Sequence, residues 1–160
     1  MNIKFQPYQA SDKDYIWQTY VTAMKHHIEN IWGWDESWQQ TDFEKNLQKY
    51  QIDLIQIESQ PIGYVQFSKN TDKTYINMLI LELSYQNQGI GVKVLESIQK
   101  SNHDLPLELK CFKANQAAYQ FYINNEFDVI ESDDSFISLR RKSTMKKDNA
   151  PRPSVSARKK

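Results

Sequence analysis

Between Tyr75 and Lys100 the chain passes from an apolar run, Ile76-Asn77-Met78-Leu79-Ile80-Leu81, through a polar turn, Gln86-Asn87-Gln88-Gly89-Ile90-Gly91, into an amphipathic segment, Val92-Lys93-Val94-Leu95-Glu96-Ser97-Ile98. That order reads as a buried strand, a glycine-bearing turn and a helix. Two of the chain's 4 glycines stand in the turn. Glycine gives the backbone access to φ > 0 and lets a ligand come close. A helix starting there points unpaired N–H groups and the positive end of its dipole outward, an arrangement suited to phosphate.

The remaining segments fit around this unit. Ile3-Lys4-Phe5-Gln6 alternates as a strand does, and Pro7 ends it. Ser11-Asp12-Lys13-Asp14 resembles a capping box with Asp in place of Glu. Ile16, Tyr20, Ala23, Met24, His27, Ile28 and Ile31 recur at helical spacing, which predicts a long helix to about Glu29. Then come three tryptophans within seven residues, Trp32, Trp34 and Trp38, around the acids Asp35 and Glu36. They can cover a helix junction, or form an aromatic wall with acids facing a cationic substrate, and the two readings are compatible. Asp35 or Ser37 caps a second helix to about Tyr50, with Trp38, Phe43 and Leu47 on one face. Ile52–Glu58 and Ile62–Lys69 read as a hairpin around Ser59-Gln60-Pro61, and Asn70-Thr71-Asp72 turns into a strand over Thr74–Glu82. The helix from Gly89 ends near Ser101-Asn102. Leu107–Phe112 is a strand, parallel to Thr74–Glu82 because a helix separates them. A helix from Asn115 to about Asn125 and strands Phe127–Glu131 and Phe136–Arg141 complete the pattern.

Hydrophobic residues make up 39% and aromatics 12% of 160 residues, enough for one packed domain. Net charge is zero, yet nine of the 20 basic residues and one of the 20 acidic residues lie from Arg140 onward. The body is therefore acidic and the tail basic. From Ser143 the composition is Lys, Arg, Ser and Pro, which predicts a basic, disordered tail over 143–160 after a domain at 1–142. A nucleic-acid partner acting through that tail is not the favoured reading; a solvated tail is. The single cysteine, Cys111, excludes an internal disulfide and fits a reducing cytoplasm. No run approaches a membrane span, the N-terminus has no signal-peptide pattern, and no Cys/His cluster has metal-site spacing.

Two motifs carry a family resemblance. Gln86-Asn87-Gln88-Gly89-Ile90-Gly91 is similar to the Gln/Arg-x-x-Gly-x-Gly/Ala turn of the GNAT superfamily of acyl-CoA-dependent N-acetyltransferases, and Leu79–Tyr85 resembles that family's fourth strand. About 24 residues on, Asn115-Gln116-Ala117-Ala118-Tyr119-Gln120-Phe121-Tyr122 is similar to its second signature, Asn-x-x-Ala-x-x-Leu/Phe-Tyr. The resemblance spans roughly Ile3 to Arg141. It implies an α/β (α+β) fold: a mixed, mostly antiparallel seven-stranded sheet, helices on both faces, and a splayed fourth and fifth strand. It implies acetyl-CoA as co-substrate and no metal. The turn's amides, Gln86 to Gly91, would cradle the pyrophosphate. Backbone at Leu79, Ile80 and Leu81 would pair with the pantetheine arm, with the Leu81 N–H donating to the thioester carbonyl. Asn115 would hold a pantetheine amide, and Tyr122 would lie near the sulfur and protonate the leaving thiolate.

The chain departs from the family pattern in three places. Leu83 stands where Pro is common. Glu126-Phe127 replaces Gly-Phe, so Asn125 is expected to take the left-handed conformation instead. Lys110 stands where the branch that acetylates protein N-termini commonly has a Glu. Glu82, Glu108 and the Asp35/Glu36 pair remain open as proton acceptors, with His26 and His27 behind them. Trp34, Asp35 and Glu36 are expected to border the acceptor site. The activity implied is acetyl transfer to a primary amine of a small molecule or peptide by direct attack in a ternary complex. A non-catalytic CoA-binding module is the alternative, and a homodimer stays open.

Overall fold

The computed structural model describes residues 2–144. The helices are α1 (Lys13–Trp32), α2 (Glu36–Lys49), α3 (Ile90–Lys100) and α4 (Gln116–Asn124). The strands are β1 (Ile3–Pro7), β2 (Gln51–Ile57), β3 (Gln60–Lys69), β4 (Thr74–Leu81), β5 (Leu107–Phe112), β6 (Asp128–Ser132) and β7 (Phe136–Arg141). One seven-stranded sheet results, in the order β1-β2-β3-β4-β5-β7-β6, antiparallel except for β4 and β5. Alternation along the strands sends side chains to both faces. Ile55, Val65, Phe67 and Ile76 pack with α3 on one face, where Ile90, Val94, Leu95 and Ile98 recur at helical spacing. Ile52, Leu54, Tyr64 and Ile80 pack with Ile16 of α1 and Phe43 of α2 on the other. This is the mixed, two-faced architecture the motifs imply.

The functional geometry begins with the β4–β5 pair. Thr74, Tyr75 and Ile76 pair with Leu107, Glu108 and Leu109, and there the pairing stops. β5 continues against β7 as far as Phe112 opposite Phe136. β4 stays on β3, but its register slips: Gln66 faces Met78 while Phe67 faces Ile76, so Asn77 is unopposed. A bulge of this kind bends its strand. It coincides with the point where β4 leaves β5, and it opens a wedge in the middle of the sheet.

Several boundaries differ from the sequence expectation for identifiable reasons. α1 runs past Glu29 to Trp32 and stops at Gly33, which adopts φ 82° and donates its N–H to the Glu29 carbonyl. The capping box lies two residues earlier than expected: Gln9 N–H donates to Asp12 Oδ2 at 2.9 Å. Asp35, not Ser37, caps α2, accepting the Trp38 N–H at 3.0 Å. Trp38 is 61% exposed, so it does not share the buried face with Phe43. The left-handed residue before Phe127 is Glu126, at φ 71°, and Asn125 stays at φ −111°. The position that would favour glycine is thus filled by a strained glutamate. Ser143 Oγ and Thr144 N–H both bond the Asp104 carbonyl. The rest of the expected disordered tail lies outside the described residues.

Candidate active site

A groove of about 970 Å³ runs along the outer half of β4, from the turn at its end to α4. Main chain does most of the work here. Glu82 N–H donates to the Ile62 carbonyl at 2.8 Å, so the peptide of residue 82 faces β3. Peptides alternate along a strand, which turns the N–H groups of Leu79 and Leu81 toward the side that β5 has left. Ile80 faces the other way: a Cβ built on Gly63 would stand 2.1 Å from its carbonyl oxygen. Of the three β4 residues expected to offer backbone, Leu79 and Leu81 present it to the opening. Ile80 contributes a side chain.

The turn is shaped by its own side chains. Gln86 Nε2 donates to the Leu81 carbonyl at 2.9 Å and Gln88 Nε2 to the Ser84 carbonyl at 2.7 Å. Asn87 (φ 61°) and Gly89 (φ 79°) take left-handed conformations, and Gly89 precedes the first turn of α3. Beyond the Gly89 Cα there is open space: a Cβ there would meet nothing within 4 Å. Gln86, Asn87, Gly89 and Gly91 line the groove, whereas the Ile90 side chain is buried in the α3 core and Gln88 folds back on the turn. Gly91 has a packing reason as well, since a Cβ would stand 2.8 Å from the Phe121 ring.

A second cavity, of about 670 Å³, lies on the α1–α2 face of the sheet. Its aromatic lining includes Tyr20, Trp32, Trp38, Tyr64, Phe112 and Phe136. Its polar lining includes Asp35 and Asp42 with the amides Gln39, Asn46, Gln66 and Asn77. These amides are organised. Asn77 Nδ2, at the bulge, donates to Gln66 Oε1 at 2.7 Å, Gln66 Nε2 to the Asn46 carbonyl at 3.3 Å, and the Tyr20 hydroxyl to Gln39 Oε1 at 2.9 Å.

The acid pair of the tryptophan loop divides. Asp35 lines this cavity at its rim; Trp34 and Glu36 do not. Trp34 packs beside Trp17 and Tyr20, with ring centroids 6.3 and 6.4 Å away, and gives its indole N–H to Glu36 Oε1 at 2.8 Å. That bond turns the Glu36 carboxylate onto its own loop.

The two cavities share Met24, Leu79, Ile80, Asn115, Ala118 and Tyr122. They meet where β4 parts from β5. Tyr122 is 8% exposed, wedged edge-on between Phe121 and Phe127 with centroids 5.2 Å from each. Its hydroxyl has no partner among the described residues. Burial, followed by nearby Cys111, pushes the phenol above its usual range, so it keeps its proton at neutral pH. Asn115 caps α4 by accepting the Ala118 N–H at 3.1 Å, so its Oδ1 serves the helix. Cys111 also lines the cavity on the α1–α2 face, and burial raises the pKa of its thiol, which keeps it protonated.

The proton-acceptor candidates separate as well. Glu82 lines the groove and accepts the Tyr15 hydroxyl at 2.6 Å; burial first, then that bond, raises the Tyr15 pKa. Glu108 is bound by Lys73 at 2.7 Å and Arg140 at 3.4 Å and lines neither cavity, which removes it from the list. His26 and His27 lie on the groove side of α1. His27 stacks on Phe112, 5.6 Å between centroids, and burial, then His26, lowers its pKa. Among the described residues no group of three or more His, Cys, Asp or Glu could hold a metal ion, and no helix is long and apolar enough to cross a membrane.

Sequence reasoning did not identify Tyr64, Asp42, Gln39, Gln66 and Asn77 as site residues. For Gln66 and Asn77 a signal existed: each is a lone polar residue inside an apolar strand. Tyr64 reads as an ordinary core aromatic.

Comparison with known proteins agrees with the fold. PaiA N-acetyltransferase from Thermoplasma acidophilum, solved with coenzyme A, superposes with a TM-score of 0.70 at 19% identity over 89% of this chain and 99% of that one. A GNAT-family acetyltransferase from Staphylococcus aureus Mu50 gives 0.66 at 22% identity over 88% and 98%. The N-acetyltransferase PseH from Campylobacter jejuni, solved with acetyl coenzyme A, gives 0.63 at 17% over 88% and 99%. No curated protein matches the chain. The model of the acetyltransferase (GNAT) family matches residues 13–127, and the chain belongs to that family.

Proposed function

We propose that this chain transfers an acetyl group from acetyl-CoA to a primary amine of a small molecule or peptide, by direct attack with both substrates bound. The observation that carries the reading is the meeting of two cavities at Tyr122, where β4 parts from β5. The residues present fit the co-substrate. The outward-facing N–H groups of Leu79 and Leu81 await a partner, and the Gly89 turn leaves open space before the N-terminus of α3. Acetyl-CoA bound there would supply an acetyl thioester.

The chain's own groups then have defined tasks. The amides at Gly89 and Gly91 bind phosphate oxygens. The Leu81 N–H donates to the carbonyl oxygen as negative charge develops on it. Tyr122, a phenol that holds its proton at neutral pH and more firmly for being buried, gives that proton to the departing sulfur and is reprotonated, directly or through water, as the new amide nitrogen sheds its second proton. The amine arrives as an ammonium with a pKa of about 10.4 and must lose a proton before it attacks. Asp35, Asp42 and Glu82 are the carboxylates of the two cavities, and the proton leaves to one of them or through water.

Free-thiol release from acetyl-CoA, measured across alkylamines, aminoglycosides, polyamines and peptide N-termini, tests the reading. Release above background with at least one amine, with an N-acetylated product by mass spectrometry, is expected. Saturable acetyl-CoA binding with no release for any amine would make the chain a binding module instead.

A further inference from the structure

We infer that the part of the acceptor that does not react is an uncharged aromatic ring, seated on Trp32, Phe112 and Phe136 at the β5–β7 side of the acceptor cavity; the substrate class is a small arylalkylamine. This rests on the acetyl-transfer reading and narrows its substrate.

The three side chains form one continuous shelf. Phe112 of β5 and Phe136 of β7 stand opposite each other in register and stack, with ring centroids 4.9 Å apart and planes inclined by 23°. Trp32, the last residue of α1, leans on both, 6.0 Å from Phe112 and 5.8 Å from Phe136. All three rings line the cavity. Phe112 is buried, whereas Trp32 is 59% exposed. A lone exposed apolar residue needs no explanation; an indole that carries a stacked pair out along the wall of a cavity does. Gly33 continues the lining, and a Cβ there would meet nothing within 4 Å, so the chain leaves room at that end of the wall.

The neighbouring charge decides what the shelf takes. Lys110 lines the cavity and holds its ammonium 5.7 Å from the Phe136 ring centroid, with no carboxylate at salt-bridge distance among the described residues. A second cation placed there would meet a like charge, so the shelf suits an uncharged group rather than the reacting ammonium. Ring faces and edges of this kind favour another ring, offset-stacked or edge-on. The shelf also adjoins the place where acetyl transfer is read. The Phe112 carbonyl accepts the Asn115 N–H at 3.0 Å, and Asn115 lines both cavities. Phe112 stacks as well with His27 of the groove, 5.6 Å between centroids.

The test compares benzylamine, phenethylamine and phenylpropylamine, each with its cyclohexyl counterpart. The members of a pair match in chain length and nearly in size, and differ in the ring faces. Wild-type kcat/KM should favour the phenyl compound of at least one pair by about three- to tenfold, the scale of one ring–ring contact. Trp32→Leu keeps apolar bulk and removes the ring, and should lower that ratio by about the same factor with the acetyl-CoA KM unchanged. Trp32→Phe keeps a ring and should retain most of the preference. A preference set by the amines' own basicity would survive Trp32→Leu, and that result would overturn the inference. So would equal kcat/KM within every pair in the wild type, an equal loss for both members of the pair in Trp32→Leu, or turnover of other amines but of none of the phenyl series. Absence of thiol release with every amine tested would instead overturn the transfer reading, and this inference with it.

Discussion

The groove beside β4 and the cavity beside α1 and α2 meet at Tyr122, yet they are built from different materials. The groove relies on peptide groups: the outward N–H groups of Leu79 and Leu81, and the turn from Gln86 to Gly91 at the start of α3. The cavity relies on side chains: Tyr20, Asp35, Asp42, Tyr64, Gln66 and Asn77, gathered from two helices, the loop between them and two strands. Peptide recognition needs a particular local backbone, so it leaves a short sequence motif. Side-chain recognition needs only that residues meet in space, so it leaves none. A common co-substrate and a particular acceptor would be divided in just this way.

Breaking the junction should have the largest effect. Tyr122→Phe keeps the ring and removes the hydroxyl, which has no partner among the described residues, so stability should hold. Rapid-quench or steady-state kinetics should show kcat falling about 10²-fold, the usual range for lost acid–base help, with acetyl-CoA affinity little changed. If kcat is unchanged while chemistry limits the rate, Tyr122 is a packing residue and the sulfur is protonated by water.

Blocking the groove alone comes next. Gly89→Val places a branched side chain in the open space beyond the turn and strains a left-handed backbone. Calorimetry should show acetyl-CoA affinity reduced at least tenfold, about 1.4 kcal/mol. Gly89→Asn tolerates the left-handed conformation better. A similar loss in that variant would assign the effect to occlusion. Unchanged affinity in folded variants would move the phosphate elsewhere.

A smaller change should touch the cavity and spare the groove. Asp35→Asn retains an N-cap for α2, because Asn caps as well as Asp. Only the charge goes, from an exposed position at the rim. The acceptor KM should rise roughly two- to five-fold, the scale of an exposed ion pair, while the acetyl-CoA KM stays put. The reverse pattern would place Asp35 on the co-substrate side.

These variants also show where sequence reasoning reached and where it stopped. The strand–turn–helix unit, the parallel β4–β5 pair and the Asn115–Tyr122 helix were legible because each is local: periodicity, two glycines and a cap specify them. The bulge at Asn77 was not, because it is a register slip between β3 and β4 that no single strand encodes. Trp34 and Glu36 looked like a substrate wall, but an indole N–H two residues away claims the Glu36 carboxylate. Tyr64 was invisible as a site residue, since a tyrosine in an apolar strand reads the same whether or not its hydroxyl has a partner.

Glu126 supplies a control that should affect neither region. It occupies φ 71° at the end of α4. Glu126→Gly relieves the left-handed strain and adds some unfolded-chain entropy, so a net gain of about 0.5–1 kcal/mol is expected. At this chain length that raises the thermal midpoint by about 1–4 °C. Kinetics should not move. A lower midpoint would mean that the glutamate side chain contributes more than its backbone costs.

The central claim is that both substrates bind at once and react across Tyr122. Initial-velocity kinetics, varying acetyl-CoA at several fixed concentrations of an accepted amine, test it most directly. Intersecting reciprocal plots are predicted, together with an unmodified protein mass after incubation with acetyl-CoA alone. Parallel plots, with one acetyl group carried on Cys111 at the wall of the acceptor cavity, would contradict it.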